Sequence, residues 1–282
     1  VTVNPLPSAI GGVPKVCVGS TTILSNTLTG GVWTTSNPAI ATVSVSSGIV
    51  NGVSAGTVTI TYTTAAGCIA TILVTVNPLP AAITGITSIC QGQTSILSNA
   101  TPGGTWSSSA AAIASVGAST GMVSGLLAGS TIVRYTTPEG CSSLTPFTVN
   151  SVPGGITGVA VVCEGANTAL FNALPGGTWS SANTAVAAIG FTTGVVAGIS
   201  AGNAVITYIT SAGCYVTTTV TVNPTPVITG TLFTNPTTCV NADGTITLTG
   251  LVSGQTYTVN YVASGTPVTT VMTADISGNI TI

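Results

Sequence analysis

The feature that most constrains this chain is an internal repeat with a fixed period. The opening segment Val-Thr-Val-Asn-Pro-Leu-Pro at 1–7 returns unchanged at 74–80, and altered forms follow at 147–153 and 220–226. The same step relates aromatic residues and cysteines: Trp33, Trp106 and Trp179; Tyr62, Tyr135 and Tyr208; Cys17, Cys90 and Cys163; Cys68, Cys141 and Cys214. A fixed period of this length indicates tandem copies of one folding unit. We therefore predict three modules of one type, at residues 8–77, 81–150 and 154–223.

The two ends of the chain depart from this repeat. Residues 1–7 match the closing strand and linker of a module, so we expect them to belong to a preceding module. Residues 227–282 lack tryptophan, and one step beyond Cys163 leads to Pro236 rather than to Cys239. We predict a divergent, incomplete β-module there. Either the chain is a piece of a longer array, or residues 1–4 of one copy complete the last module of the next copy by strand addition.

Within a module, apolar residues alternate with polar ones. Val58, Ile60 and Tyr62 share one face of their segment while threonines share the other, which is the period of a β-strand. Glycine-rich turn signals separate short segments of this kind, and this pattern predicts an antiparallel β-sandwich. The linkers between modules contain prolines, which favour extended connections. The predicted fold class is all-β, with sandwich modules in an elongated, semi-rigid array.

Charge is almost absent from the sequence. Charged residues make up 2% of the chain, with two cations, four anions and no histidine. Two cations cannot neutralise a nucleic-acid backbone, so we expect no nucleic-acid partner. Without histidine or clustered carboxylates there is no candidate catalytic, cofactor-binding or metal site, so we expect neither an enzyme nor a cofactor. Mean hydropathy is high at +0.69, but polar residues interrupt every apolar stretch and no membrane span is predicted.

The cysteines suggest an oxidising compartment. Each module has two cysteines, one from the set Cys17, Cys90 and Cys163 and one from the set Cys68, Cys141 and Cys214. The separation between the two is the same in all three modules. We therefore predict one disulfide within each module: Cys17–Cys68, Cys90–Cys141 and Cys163–Cys214. Cys239 is then unpaired. A rival pairing joins neighbouring modules across the linkers through Cys68–Cys90, Cys141–Cys163 and Cys214–Cys239, which leaves Cys17 unpaired. On the chain-entropy model, a loop within one module would stabilise it by about 4 kcal/mol.

The repeated aromatic residues are predicted to form the core of each module. Trp33, Trp106 and Trp179 occupy one register of the repeat, and Tyr62, Tyr135 and Tyr208 occupy another. A small two-sheet core needs large apolar side chains at equivalent positions. The alternative is that the tryptophans lie on the surface and stack on sugars.

One phrase of the repeat resembles a known family. The segment Trp33-Thr-Thr-Ser-Asn-Pro-Ala-Ile-Ala-Thr-Val43 is followed by Gly48-Ile-Val-Asn-Gly-Val-Ser-Ala-Gly-Thr-Val-Thr-Ile-Thr-Tyr62. This phrase resembles the bacterial immunoglobulin-like domains of the Big2 type, and shorter forms of it follow Trp106 and Trp179. The cysteine frame is similar to that of large surface proteins of Bacteroidota. The resemblance implies tandem immunoglobulin-like modules with an extracellular structural or adhesive role, as in an adhesin or filament.

The expected function is therefore that of a cell-surface segment that acts as a semi-rigid rod. The near-absence of charge favours lateral or head-to-tail assembly with other copies, or contact with other surface components, because soluble monomers normally use charge to stay apart. Glycans on Ser or Thr are a further expectation for such a neutral surface. The alternative function is a carbohydrate-binding module array of a secreted protein, and an ice-binding adhesin is a weaker alternative.

Overall fold

The computed structural model describes residues 6–237 and 243–282, and these residues form β-strands and no helix. The modules are numbered first to third in chain order by their predicted ranges. The strands of the first module are β1 (Gly11–Gly12), β2 (Lys15–Cys17), β3 (Thr21–Ser25), β4 (Val32–Thr35), β5 (Ala41–Val43), β6 (Ile49–Gly52), β7 (Gly56–Thr63) and β8 (Ile69–Asn77).

The next two modules repeat this order of strands. The second has β9 (Thr84–Gly85), β10 (Ser88–Cys90), β11 (Thr94–Ser98), β12 (Thr105–Ser108), β13 (Ala114–Val116), β14 (Met122–Gly125), β15 (Gly129–Thr136) and β16 (Ser142–Asn150). The third has β17 (Thr157–Gly158), β18 (Val161–Cys163), β19 (Asn167–Phe171), β20 (Thr178–Ser181), β21 (Ala187–Ile189), β22 (Val195–Gly198), β23 (Gly202–Ile209) and β24 (Tyr215–Asn223).

Each of these modules consists of two four-stranded sheets with the same topology. In the first module one sheet has the order β1-β3-β6-β5 and the other has the order β2-β8-β7-β4. All pairs are antiparallel except one, because β2 runs parallel to the last three residues of β8. The chain is thus an all-β tandem array of immunoglobulin-like modules.

The described chain divides into two compact units. The first comprises 1–152 together with the turn 212–214, and the second comprises 153–211 together with 215–282. The first unit contains the first two modules. The second contains most of the third module and the divergent segment that follows it.

The core of each repeated module lies between its two sheets. In β7 the inward side chains Val58, Ile60 and Tyr62 are buried while the threonines between them are more exposed. The facing sheet contributes Leu24 and Val50, which are also buried. Burial of apolar surface at about 25 cal/mol per Å² is the main stabilising contribution to a sandwich of this kind.

A tryptophan–tyrosine pair lies at the same place in every core. Trp33, Trp106 and Trp179 are 4%, 7% and 6% exposed, and their rings lie 4.7, 4.8 and 4.7 Å from the rings of Tyr62, Tyr135 and Tyr208. The hydroxyl of Tyr135 donates a hydrogen bond to the carbonyl oxygen of Thr101 and accepts one from the N–H of Gly104 at 2.8 Å. The tyrosine hydroxyl therefore connects the turn that precedes β12, the strand of Trp106, to the core.

We predict that Tyr135→Phe lowers the free energy of unfolding by about 1–3 kcal/mol, because two backbone groups lose their partner in a largely buried place. Urea titration of the full chain would measure the change. Tyr215→Phe is the matched control, since that side chain is 62% exposed, and it should leave stability unchanged. Equal effects of the two substitutions would contradict this role of the hydroxyl.

A glycine supports each tryptophan ring. Gly121 has a φ of +69°, and a Cβ added there would collide with the carbonyl oxygen of Leu97 and lie 3.0 Å from the ring of Trp106. Gly92 also has a positive φ, +84°, but a Cβ added there would meet nothing within 4 Å. Only the first of these two glycines is required by close packing as well as by backbone conformation.

Gly121→Ala and Gly92→Ala should therefore differ in cost. Both impose the strain of a left-handed residue, about 1–2 kcal/mol, while Gly121→Ala adds an overpacking cost of about 1–3 kcal/mol. Thermal unfolding of the two variants would measure the difference. Equal melting temperatures would show that the backbone at Leu97 and the ring of Trp106 can move to accommodate the added methyl group without loss of stability.

The divergent segment is built differently. Its strands are β25 (Gly230–Thr234), β26 (Thr245–Thr249), β27 (Thr256–Ala263), β28 (Thr266–Thr273) and β29 (Ile280–Thr281). They form a three-stranded sheet, β25-β26-β29, and a two-stranded sheet, β27-β28. The buried core among its described residues is small: Leu251, Val259, Ala274 and Ile280. The predicted strand addition by residues 1–4 falls on positions outside the described residues and stays a prediction.

Candidate functional site

The junction between the first and second modules is the part of the fold that combines covalent chemistry with buried polar groups. Strand β2 ends at Cys17, which pairs in register with Asn77, the last residue of β8. The N–H of Val18 also donates to the carbonyl oxygen of Asn77 at 3.0 Å. Because the linker to the second module begins at Pro78, Cys17 lies at the linker end of its module. We call Cys17, Cys90 and Cys163 the strand cysteines.

The second set of cysteines lies at the opposite end of each module. Cys141 follows the turn between β15 and β16, which is closed by hydrogen bonds from the N–H of Thr137 to the carbonyl oxygen of Cys141 at 2.8 Å and from the N–H of Gly140 to that of Thr137 at 2.9 Å. Cys68 follows the equivalent turn between β7 and β8. We call Cys68, Cys141 and Cys214 the hairpin cysteines.

The predicted pairing within modules is wrong. Cys17 is bonded to Cys141 and Cys90 is bonded to Cys214, with Cα–Cα distances of 5.6 and 5.7 Å. Cys17–Cys68 fails because the two residues lie at opposite ends of β8, whose nine residues extend about 30 Å. A disulfide requires Cα atoms within about 7 Å. Cys90–Cys141 and Cys163–Cys214 are impossible for the same reason, because their two cysteines lie at opposite ends of β16 and of β24.

The rival pairing is wrong as well. It joined Cys68 to Cys90, Cys141 to Cys163 and Cys214 to Cys239, but each observed bond joins a strand cysteine to the hairpin cysteine 124 residues later. Cys68 and Cys163 are free, so the structure does not bond all six cysteines predicted to pair. Cys239, which we predicted to be unpaired, lies outside the described residues.

The junction of the first two modules buries polar atoms beside the disulfide. Cys141 is 1% exposed, and its Sγ lies 4.0 Å from the carbonyl oxygen of Asn77. Asn77 Nδ2 and Thr137 Oγ1 are buried and have no hydrogen-bond partner among the described residues. At the equivalent position Asn150 Nδ2 donates to Ser88 Oγ at 2.8 Å, whereas the residue equivalent to Ser88 in the first module is Lys15.

The tryptophans do not form a surface site. Their burial removes the flat exposed rings that stacking on a sugar would require. The structure instead pairs each tryptophan with its tyrosine in adjacent strands, as with Trp106 and Tyr135 in β12 and β15. The predicted core aromatic residues therefore lie together in three equivalent places.

Other chemistry is sparse in the part of the chain that the structure describes. No group of three His, Cys, Asp or Glu side chains there could hold a metal ion. The Asp243 carboxylate accepts hydrogen bonds from the hydroxyl and the N–H of Thr237, which lower the pKa of Asp243. No helix in the described residues is long and apolar enough to cross a membrane.

The family comparison agrees with this architecture. Residues 15–79 match the family described as the bacterial Ig-like domain, group 2. No curated protein matches the chain in sequence. Among solved structures it is similar to surface layer protein SbsC, domains 1–6, at 14% identity and a TM-score of 0.25, covering 96% of this chain and 49% of that one. The chain thus spans about half the length of that relative.

Two further solved structures are similar to the chain. One is invasin, described as a bacterial integrin-binding protein, at 14% identity and a TM-score of 0.40, covering 78% of this chain and 61% of that one. The other is a C-terminal fragment of intimin in complex with the intimin-binding domain of its receptor, at 14% identity and a TM-score of 0.35, covering 53% of this chain and 67% of that one.

The disulfide pairing did not follow from the sequence alone. The separation of 124 residues in each bond combines one full repeat with the distance between the two cysteines of a module. Sequence reasoning compared pairs within a module and across one linker, and it missed this combination. The missing information was the parallel pairing of β2 with β8, which decides at which end of the module each cysteine lies.

We predict that peptide mapping without reduction finds Cys17–Cys141 and Cys90–Cys214. Cys141→Ser should lower the free energy of unfolding by about 4–5 kcal/mol on the chain-entropy model for a loop of this length. Cys68→Ser is the matched control, because it removes the equivalent thiol without breaking a bond, and it should leave the melting temperature of the monomer unchanged. A linked peptide containing Cys17 and Cys68 would refute the observed pairing.

Proposed function

We propose that this chain is a mechanical segment of an extracellular bacterial surface protein, in which disulfides between modules limit extension. The bond Cys17–Cys141, which joins two modules of the same unit, is the observation that carries the proposal. A disulfide inside one module would protect only that module. A disulfide across a junction provides a second covalent connection besides the linker, so the junction resists bending and extension.

The two disulfides overlap along the chain. Each closes a loop of 124 residues, and the stretch from Cys90 to Cys141 belongs to both loops. When all strands are unfolded under tension, the shortest covalent path between Cys17 and Cys214 carries the force. That path crosses the Cys17–Cys141 bond, follows the shared stretch from Cys141 back to Cys90, and crosses the Cys90–Cys214 bond. The rest of the chain between those two cysteines would carry no load. At about 3.6 Å per residue, the disulfides withhold roughly 500 Å of contour length.

The location and partners follow from the same features. Structural disulfides persist in oxidising surroundings such as a cell surface, and large surface proteins of Bacteroidota are the proposed context. The partner we propose is another copy of the chain or another surface component, since a net charge of −2 opposes association only weakly. The buried tryptophans leave no specific observation in favour of a carbohydrate-binding array.

Single-molecule stretching tests this mechanical role. The full chain is held by its two ends and extended until all modules unfold, first in oxidising buffer and then with a reducing agent. Reduction should lengthen the final extension by roughly 500 Å. The double substitution Cys141→Ser and Cys214→Ser should show the longer extension without any reducing agent. Equal extensions of the oxidised and reduced chain would overturn the proposal.

A further inference from the structure

Each repeated module exposes a row of apolar side chains on the outer face of one sheet. In the first module this is the sheet β1-β3-β6-β5. Ile23 of β3 and Ile49 of β6 are cross-strand partners and are 64% and 41% exposed, whereas their neighbours in sequence, Leu24 and Val50, are buried. Val13 directly follows β1 and is 62% exposed. The row therefore runs from the end of β1 across β3 to β6.

The row occupies the same register in all three modules. Its first member is held beside the strand of its second member, because the carbonyl oxygen of the first member accepts a hydrogen bond from the hydroxyl of Thr22, Ser95 or Thr168 at 2.9, 2.8 and 2.8 Å. The eight members larger than alanine are 41–68% exposed. We call these sets the outer rows: Val13, Ile23 and Ile49; Ile86, Ile96 and Met122; Val159, Ala169 and Val195.

The apolar character of the outer rows is not needed to form the strands. Thr21 and Ser25, which lie on the same face as Ile23 and on either side of it, are polar and exposed. Threonine favours strands as valine and isoleucine do, so it would keep the same strand without exposing a large apolar side chain. An exposed apolar patch that returns at one register of three modules instead indicates a contact surface.

The partner that fits the outer rows is neutral and apolar. None of the strands in the three sheets that carry the rows contains a charged residue. A partner with a charged face would therefore lose hydration there without gaining an ion pair. A second copy of this chain offers the same neutral face, and its net charge of −2 opposes the approach only weakly.

A second copy also supplies the amount of surface that a stable contact needs. Taking about 100 Å² of apolar surface for a whole aliphatic side chain, one row exposes roughly 150 Å² and the three rows together expose roughly 450 Å². A stable interface buries about 800 Å² on each partner, and a little more than half of that area is apolar. One row alone is too small, whereas three rows that meet the three rows of another copy reach this size.

We propose that two copies of this chain associate face to face through their outer rows. This contact deepens the proposed function, on which it rests, by naming the surface and the partner. Both copies use the same surface, so the contact is isologous and two-fold symmetric. The two chains then run either parallel or antiparallel, and in both arrangements the row of the second module meets its own counterpart. Ile96 is therefore the position at which a substitution tests the contact most directly.

The test measures self-association of the full chain by sedimentation velocity over a series of concentrations. The free thiols are alkylated first, so that no disulfide can join two copies. The native sequence should change reversibly from a monomer of 27.3 kDa to a dimer as its concentration rises. Ile96→Lys should raise the dissociation constant by about tenfold or more, because the introduced ammonium groups of the two copies face each other.

Ile132→Lys is the matched control. Ile132 is an isoleucine of the same module and is 46% exposed, but it lies on β15 in the other sheet. The control should leave the dissociation constant unchanged. A monomer at every concentration, or equal weakening by the two substitutions, would overturn the proposal.

A photo-reactive residue at position 96 identifies the surface that it meets. In a mixture of ordinary and isotope-labelled chains, Ile96→p-benzoylphenylalanine should crosslink to an outer-row peptide of the second module that carries the other label. Crosslinks to the sheet that contains β15, or crosslinks confined to one label, would also contradict the contact. Stretching of single chains does not involve a second copy, so the mechanical role and this surface can fail separately.

Discussion

The parallel pairing of β2 with the last residues of β8 determines much of the rest of this structure. It adds a fourth strand to one sheet and brings Val16 and Val76 into the core. It also fixes Cys17 beside Asn77, at the end of the module where the linker leaves. The register between β2 and β8 therefore determines two things: which side chains of β2 enter the core, and which neighbouring module lies close enough to Cys17 for a disulfide. A strand cysteine placed at the other end would face its own hairpin turn.

The fold was predictable because its signals in the sequence are local or periodic. The regular return of one phrase gave the modules, the alternation around Val58 and Ile60 gave a strand, and the register of Trp33 and Tyr62 gave a shared core. The disulfide partners were not predictable in the same way. Their choice depends on which end of β8 each cysteine occupies, and a parallel pair between the second and the last strand of a module leaves no mark in local composition. Sequence separation alone favoured the nearer and wrong partner.

The near-absence of charge has a structural counterpart in the sheet edges of the repeated modules. Edge strands such as β1 and β5 have two and three residues, and edge strands as short as these offer few unpaired backbone groups to another chain. Shortness protects these edges, and Lys15 adds a single charge on the edge strand β2 of the first module. Association side by side through edge strands as short as β1 and β5 is disfavoured, whereas the ends of the modules keep the free thiols of Cys68 and Cys163. The eight-residue strands β27 and β28 of the divergent segment do not share this protection.

The spacing of the disulfides also sets an order of events during biosynthesis. Cys17 has no partner until a turn 124 residues further along the chain exists, a delay of roughly 6 to 25 s at ordinary rates of synthesis. Shorter loops close more readily in an unfolded chain, so oxidation before folding would favour nearer cysteines such as Cys68. Once β8 has formed, it holds those two residues at opposite ends of the module. The first and second modules therefore fold on the strength of their apolar cores first, and each acquires its covalent connection only when its successor has folded.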